Sequence, residues 1–248
     1  RGVHPPANIL RPDIALFDRF YQTGRGHIRL MTIAPEIPGA LELIEHATSL
    51  GVKISIGHTN ATCEEANAAI AAGAASATHT FNAMRPLDHR DPGVIATVLD
   101  DDHLFAELIC DGIHVAPEMV RLWLKAKGAD KSILVTDSMS ATGMPDGTYT
   151  LGTFQVEVAN GRAISNGALA GSVLTMDRAV ANLQRFTGSP LGTAVRLASH
   201  NPAKLLGLED TIANPLPGQP ANFNVFDAAG NLQSIILQGN RILVAPPQ

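Results

Sequence analysis

The sequence predicts an α/β fold in which parallel strands alternate with covering helices. Three observations carry that expectation. Between residues 27 and 138, short apolar, β-favouring runs alternate with amphipathic helical patterns. The 248 residues are 45% hydrophobic and 17% charged, enough apolar material for a sizeable folded core. Each of five runs ends in a polar residue: Glu36, His58, His79, His114 and Asp137. In a (β/α)8 barrel the C-terminal strand ends build the active site, and five polar tips in a row are hard to explain as satisfied core groups.

The elements follow in order. "HIRLMTIAPE" reads as a strand with a polar, Pro-containing tip, and "GALELIEHATSLG" as an amphipathic helix closed by Gly51. "VKISIGHTNAT" is a second strand and loop. "CEEANAAIAAGA" is a second helix with acidic residues in its first turn, where the helix dipole favours them. Ala66, Ile70 and Gly73 give that helix a small-residue face. "SATHTFN" is a third strand, "PGVIATVLDD" a third helix with Pro92 near its start, and "HLFAELICDGIH" a fourth strand. "PEMVRLWLKAKG" and "SILVTDS" are the fourth helix and fifth strand.

Beyond Asp137 the pattern changes. "GTYTLGTFQVEVANGRAIS" alternates and contains Asn160-Gly161, a strong hairpin signal. "LTMDRAVANLQRF" and "TAVRLASHNPAKLLGL" are helical, the second interrupted before Pro202. The tail from Pro215 reads as short strands and turns. The expected division is an α/β domain over residues 1–208 and part of a small β unit over 209–248. Five parallel strands cannot close an eight-stranded barrel. The fold is therefore either an open sheet or a barrel whose first βα units, roughly three, precede Arg1. The chain opens "RGVHPPANIL", without Met or a targeting segment, which reads as a fragment or a chain whose start is missing.

Composition narrows the function. The net charge of −5 and the absence of a basic stripe argue against nucleic-acid binding. Arg121, Lys125, Lys127 and Lys131 read as a solvated helix end complementing the dipole. Two cysteines, Cys63 and Cys110, make no disulfide framework and suit a reducing cytoplasm. The longest apolar runs are too short to span a bilayer.

His58 and His79 end successive strands, and imidazole is a common ligand of Zn²⁺ and similar ions. Two hydrogen-bonded structural histidines are the alternative. Asp137 ends the buried run "ILVT", where an unpaired carboxylate is costly. Beside an activated water it suits a general base, and its plainer reading is a helix cap or turn residue. Arg90 has the planar fork that pairs with phosphate, and alternatively forms a surface pair with Asp88 or Asp91. His89, His103 and His200 read as structural or surface residues. Cys63, near a helix N-terminus, reads as a small packing residue, and Glu36 as a support or hydrogen-bond acceptor.

"SIGHTNAT", "ATHTFNAM", "DGIH", "LVTDSMSATG" and "LAGSVLTM", in this order, with "RGVHPPA" and "TIAPE", resemble the N-acetylglucosamine-6-phosphate deacetylases, a family of the amidohydrolase superfamily. The resemblance spans the chain. It implies a metal-bearing (β/α)8 barrel with its first strands upstream of Arg1, and a β-sandwich domain made from both chain ends. It implies His58 and His79 as metal ligands and Asp137 as the catalytic acid/base. Val3, His4, Asn82, Ala83, Arg90, Asp111, His114, Leu169, Ala170 and Gly171 match substrate-binding positions. His4 would sit at the acetamide, and Arg90 and His114 at the phosphate, both acting across a homodimer interface. The implied cofactor is a divalent ion, zinc foremost with iron, manganese or cobalt as alternatives, as one or two ions. The implied partner is an amino-sugar phosphate, with no nucleic acid and no membrane.

Departures accompany the matches. The family's metal-binding Glu lies in an H-x-E-G-P motif, and its first-strand H-x-H is a second metal motif. Neither occurs in this sequence, and both are expected before residue 1. The tail reads "PANFNVFD" where the family often has Ala-Asp. Two other functions stay open: an amidohydrolase for a different N-acyl substrate, such as N-acetylgalactosamine 6-phosphate, and an inactive sugar-phosphate-binding fragment.

Overall fold

Five short parallel strands, β1 (Leu30–Ile33), β2 (Lys53–Ile56), β3 (Ala74–Ala77), β4 (Phe105–Ile109) and β5 (Ser132–Val135), form one sheet in sequence order. The computed structural model describes residues 2–213, 216–227 and 230–243. The register sets Thr32 beside Ser55, Ser55 beside Ser76, and Leu108 beside Leu134. Strand alternation then separates two faces. Ile54, Ile56, Ala77, Ala106, Leu108 and Leu134 join the main apolar cluster under the helices.

Those helices are α1 (Ile14–Thr23), α2 (Ala40–Ser49), α3 (Cys63–Ala71), α4 (Gly93–Asp100) and α5 (Pro117–Lys127), followed later by α6 (Met176–Thr187), α7 (Leu191–Ala198) and α8 (His200–Leu205). Trp123 of α5 is fully buried in the cluster. The small face of α3 is carried by Ala66 and Ala69, both wholly buried, while Ile70 is half-buried. Thr62 caps α3 in a reciprocal pair with Glu65.

The second face of the sheet is polar near the strand ends. Thr32 Oγ1 lies 2.9 Å from Thr78 Oγ1, and Thr78 donates to Ser55 Oγ at 2.6 Å. Ser76 Oγ donates to Glu107 at 3.3 Å. At the opposite end this face turns apolar, with Phe105 and Ile133 packed on Leu205 of α8. Among the described residues the sheet has β1 and β5 as its edges and stays open.

Three differences from the sequence reading have physical causes. The third strand is shorter than "SATHTFN": the chain leaves the sheet at Thr78, because His79, Phe81 and Ala83 all take positive φ. The basic set at the end of α5 is not simply solvated. Lys127 is 8% exposed and donates to the Asp101 carbonyl, and Lys131 donates to the His103 carbonyl at 2.7 Å. Both ammonium groups tie the α4–β4 loop to the end of α5. Helix α1 is an element the alternation does not call for. Asp13 caps it by accepting the Leu16 N–H at 3.0 Å, and Asp18 holds His46 of α2 at 2.6 Å.

Between β5 and α6 the chain builds a second, antiparallel sheet: β6 (Gly147–Leu151), β7 (Phe154–Ala159), β8 (Arg162–Ser165) and β9 (Ala168–Leu169). Asn160 and Gly161 both have positive φ at the β7–β8 turn, as the Asn-Gly signal requires. The tail forms a three-stranded antiparallel sheet, β10 (Phe223–Phe226), β11 (Leu232–Leu237) and β12 (Asn240–Leu243). The last part of the expected tail unit, residues 244–248, and Arg1 of the opening motif lie outside the described residues.

Candidate active site

Two residues beyond the ends of β2, β3 and β5 stand His58, His79 and Asp137. Each takes the left-handed backbone region, with φ of 49°, 31° and 50°. Such a conformation costs a non-glycine residue free energy, and it persists only where surrounding contacts enforce it. Those contacts are visible. Thr59 N–H donates to the Ala83 carbonyl and Arg85 N–H to the Thr59 carbonyl, both at 3.0 Å, sewing the two His loops together. Glu36 accepts the Thr59 hydroxyl at 2.5 Å and the Asn60 N–H at 2.6 Å, the supporting role expected of it. The Asp137 carbonyl accepts Ser172 N–H at 2.8 Å, and Met139 N–H donates to Ser172 at 2.9 Å.

The backbone is glycine where the tips crowd. A Cβ on Gly57 would stand 2.7 Å from Thr78 Cβ and 2.8 Å from Thr32 Cγ2. Gly2 lies against the His58 ring, where a Cβ would come within 2.8 Å of Nδ1.

The two imidazoles converge. His58 Nε2 and His79 Nε2 are 3.0 Å apart, with the rings edge to face. His4 stacks obliquely on His58, with centroids 4.4 Å apart. His79 is 5% exposed, and its Nδ1 is buried without a hydrogen-bond partner. Burial pushes the His79 ring below the ordinary histidine value, against the opposing pull of Asp137. The neutral imidazole so favoured is the form that binds a cation.

Two imidazole ligands on one tetrahedral ion at 2.0–2.1 Å lie about 3.3 Å from each other. The Nε2 pair is already close to that spacing, so its donor chemistry fits a divalent cation. It is a partial set: among the described residues no group of three or more His, Cys, Asp and Glu side chains is arranged to hold an ion. Cys110 is no candidate, since burial pushes its thiol up to about 12.

A cavity of about 370 Å³ opens beside His58 and Asp137. Val3, His4 and Gly171 line it, and the β6–β7 turn from Leu151 to Phe154 overhangs it. That turn comes from the hairpin sheet, and nothing in its own residues announces a role at the site. Its only signal is geometric.

The remaining candidates sit at varying distances from this centre. Asn82 and Ala83 form the turn after His79, with Asn82 N–H donating to the His79 carbonyl at 3.0 Å. Ala170 is wholly buried against Met139 and Val156, and its N–H is spent on the Ala163 carbonyl, so its side chain faces packing. Leu169 is half-buried at the end of β9. Asp111 and His114 form a tight pair after β4, with Oδ2 and Nδ1 2.6 Å apart. Arg90 is exposed and outside the cavity, and the residue pairing with Asp91 is Arg85.

One buried carboxyl escapes a reading by strand ends. Glu107, mid-strand in "LFAELIC", is 6% exposed on the polar face of the sheet. Burial pushes its carboxyl up to about 7, opposed by hydrogen bonds from the His79 backbone and Ser76. The signal was present: a carboxylate inside an apolar run has to be explained.

Comparisons with known proteins identify the family. The model of the Amidohydrolase family matches residues 18–242. The chain is 42% identical over 208 residues to an N-acetylglucosamine-6-phosphate deacetylase of Lysinibacillus sphaericus, covering 84% of this chain and 54% of the relative. It is 36% identical over 240 residues to an N-acetylgalactosamine-6-phosphate deacetylase of Escherichia coli O157:H7, covering 96% and 63%. A solved mutant of the N-acetyl-D-glucosamine-6-phosphate deacetylase from Mycobacterium smegmatis, in complex with N-acetyl-D-glucosamine-6-phosphate, superposes with a TM-score of 0.93 at 38% identity. That superposition covers 98% of this chain and 65% of the other. The chain thus spans between half and two thirds of the length of these relatives.

Proposed function

The chain belongs to the amidohydrolase family, and from that premise we propose that the protein hydrolyses the acetamide of N-acetylglucosamine 6-phosphate to glucosamine 6-phosphate and acetate. One observation carries the reading. His58, His79 and Asp137 stand at the same offset beyond three parallel strands, in enforced left-handed backbone, with His58 and Asp137 lining one cavity.

His58 and His79 would hold the divalent ion through Nε2, and zinc suits two imidazole donors. When bound, such an ion supplies Lewis-acid chemistry, polarising a carbonyl and acidifying water. Asp137 takes one proton from the attacking water and returns it to the sugar nitrogen as the C–N bond breaks. Water and amide thereby become carboxylic acid and amine, with every proton accounted for. General acid–base work of this kind contributes roughly 10²–10⁴-fold in rate. His4, exposed at the mouth of the cavity, is suited to hydrogen-bond the acetamide oxygen. Leu151, Phe154 and Met139 give the cavity an apolar wall against which the acetamide methyl would pack.

Asn82 and Ala83 hold the sugar, and Arg90 with His114 meets the phosphate. Arg90 is exposed and does not line the cavity, which fits a homodimer in which it serves the partner's site. The two cysteines are free, which suits a reducing cytoplasm. No helix among the described residues is long and apolar enough to cross a membrane. Residues 1–208 form the catalytic domain, and 209–248 belong to a smaller β domain. The similarity to the N-acetylgalactosamine-6-phosphate enzyme supports a second reading, with the other hexosamine epimer as substrate.

The test is acetate release by zinc-loaded protein from both epimers, each with and without the 6-phosphate. The reading expects turnover of N-acetylglucosamine 6-phosphate and a large loss without the phosphate. Equal turnover without phosphate would remove Arg90 and His114 from the site.

A further inference from the structure

Beyond β4 the chain turns upon one carboxylate. Oδ1 of Asp111 accepts the backbone N–H of Ile113 and of His114, both at 2.8 Å. Oδ2 lies 2.6 Å from Nδ1 of His114. The two side chains are 8% and 7% exposed. A carboxylate with three hydrogen bonds and almost no exposed surface has no face left for a ligand. Burial alone would push this carboxyl up, but the His114 ring and the two backbone amides outweigh it and hold it below the ordinary aspartate value.

The ring is tied at one nitrogen only. An ionised carboxylate accepts and cannot donate, so the proton of this short contact sits on Nδ1. Among the described residues Nε2 takes no hydrogen bond. The ring also acts electrostatically on His79.

We propose that Asp111 is a positioning residue, acting through His114 and never touching the ligand itself. It fixes the ring as Nδ1–H and leaves Nε2 as the atom that meets the phosphorylated sugar. This deepens the proposed function and rests on it for the identity of the ligand. A ring that donates from Nδ1 to Asp111 and from Nε2 to a phosphate oxygen carries a positive charge. A nearly buried cation needs a counter-charge, and Asp111 supplies one. The same carboxylate shapes the loop, so the ring is delivered by the turn that it neutralises.

Long-range ¹H–¹⁵N spectra of histidine-labelled protein read the tautomer directly. The free wild type should show His114 protonated at Nδ1, and added glucosamine 6-phosphate should shift the Nε2 resonance of the same ring. Asp111→Ala should release the ring to the Nε2–H tautomer. Asp111→Asn keeps one acceptor oxygen for the two loop amides but sets an N–H donor where Oδ2 stood, so it lacks the charge and should turn the ring to the Nε2–H tautomer. It should unfold near the wild-type temperature and bind glucosamine 6-phosphate at least tenfold more weakly, with glucosamine itself unaffected. A wild-type His114 in the Nε2–H tautomer would overturn the proposal, as would wild-type affinity in Asp111→Asn. Wild-type protein with the Nδ1–H ring that ignores the sugar phosphate would refute the ligand reading and leave the positioning role standing.

Discussion

Asp137 sits where an L-residue is strained, and the choice of substitution separates its chemistry from its backbone. Asn tolerates positive φ better than most residues. Asp137→Asn is therefore expected to fold normally, to bind substrate, and to lose about 10²–10⁴-fold in kcat. Asp137→Val adds the conformational penalty and should destabilise by about 1–3 kcal/mol in urea titrations. Glu107 gives a pH prediction. Its folded carboxyl titrates at about 7 against 4.5 when unfolded. The folded state thus keeps a proton that the unfolded state has lost. Its contribution to stability falls as pH rises from 4.5 to about 7 and is constant above, a cost of about 3 kcal/mol. Glu107→Gln should flatten that slope, so its gain over the wild type grows between pH 5 and pH 8. Thermal unfolding at the two pH values measures it. His58, His79 and Asp137 were legible in the sequence because a polar residue ending an apolar run marks a strand tip. Glu107 stands mid-strand, where a reading of tips does not look.

The strands and helices of the alternating half follow from local sequence: apolar runs, the Thr62–Glu65 cap and Pro92 specify their own segments. What local sequence does not contain is contact between distant segments. The Asn160-Gly161 hairpin was legible, yet its neighbouring turn reaches over His58, and only the folded chain reveals that. The α5 lysines read as solvated because their carbonyl partners belong to another loop. Close approach of strands is also unwritten, although glycine hints at it. Gly57→Ala would force a methyl into Thr78 and Thr32. It should cost about 1–3 kcal/mol by denaturant unfolding and weaken zinc binding, since His58 is the next residue.

At the scale of the molecule, the sheet gathers its polar tips on one side and its apolar packing on the other, and the chemistry follows from that polarity. The sequence specified the parallel order well. It left open whether the sheet closes, because closure depends on strands that five βα units do not supply. The similarity to known deacetylases extends over nearly all of this chain and under two thirds of theirs. The decisive measurement is steady-state acetate release from N-acetylglucosamine 6-phosphate by zinc-loaded wild type and Asp137→Asn, with zinc content determined for both. The account predicts turnover in the wild type and at least a hundredfold lower kcat in the variant, with equal zinc and little change in KM. Near-normal turnover by Asp137→Asn, or none from zinc-loaded wild type, would contradict it.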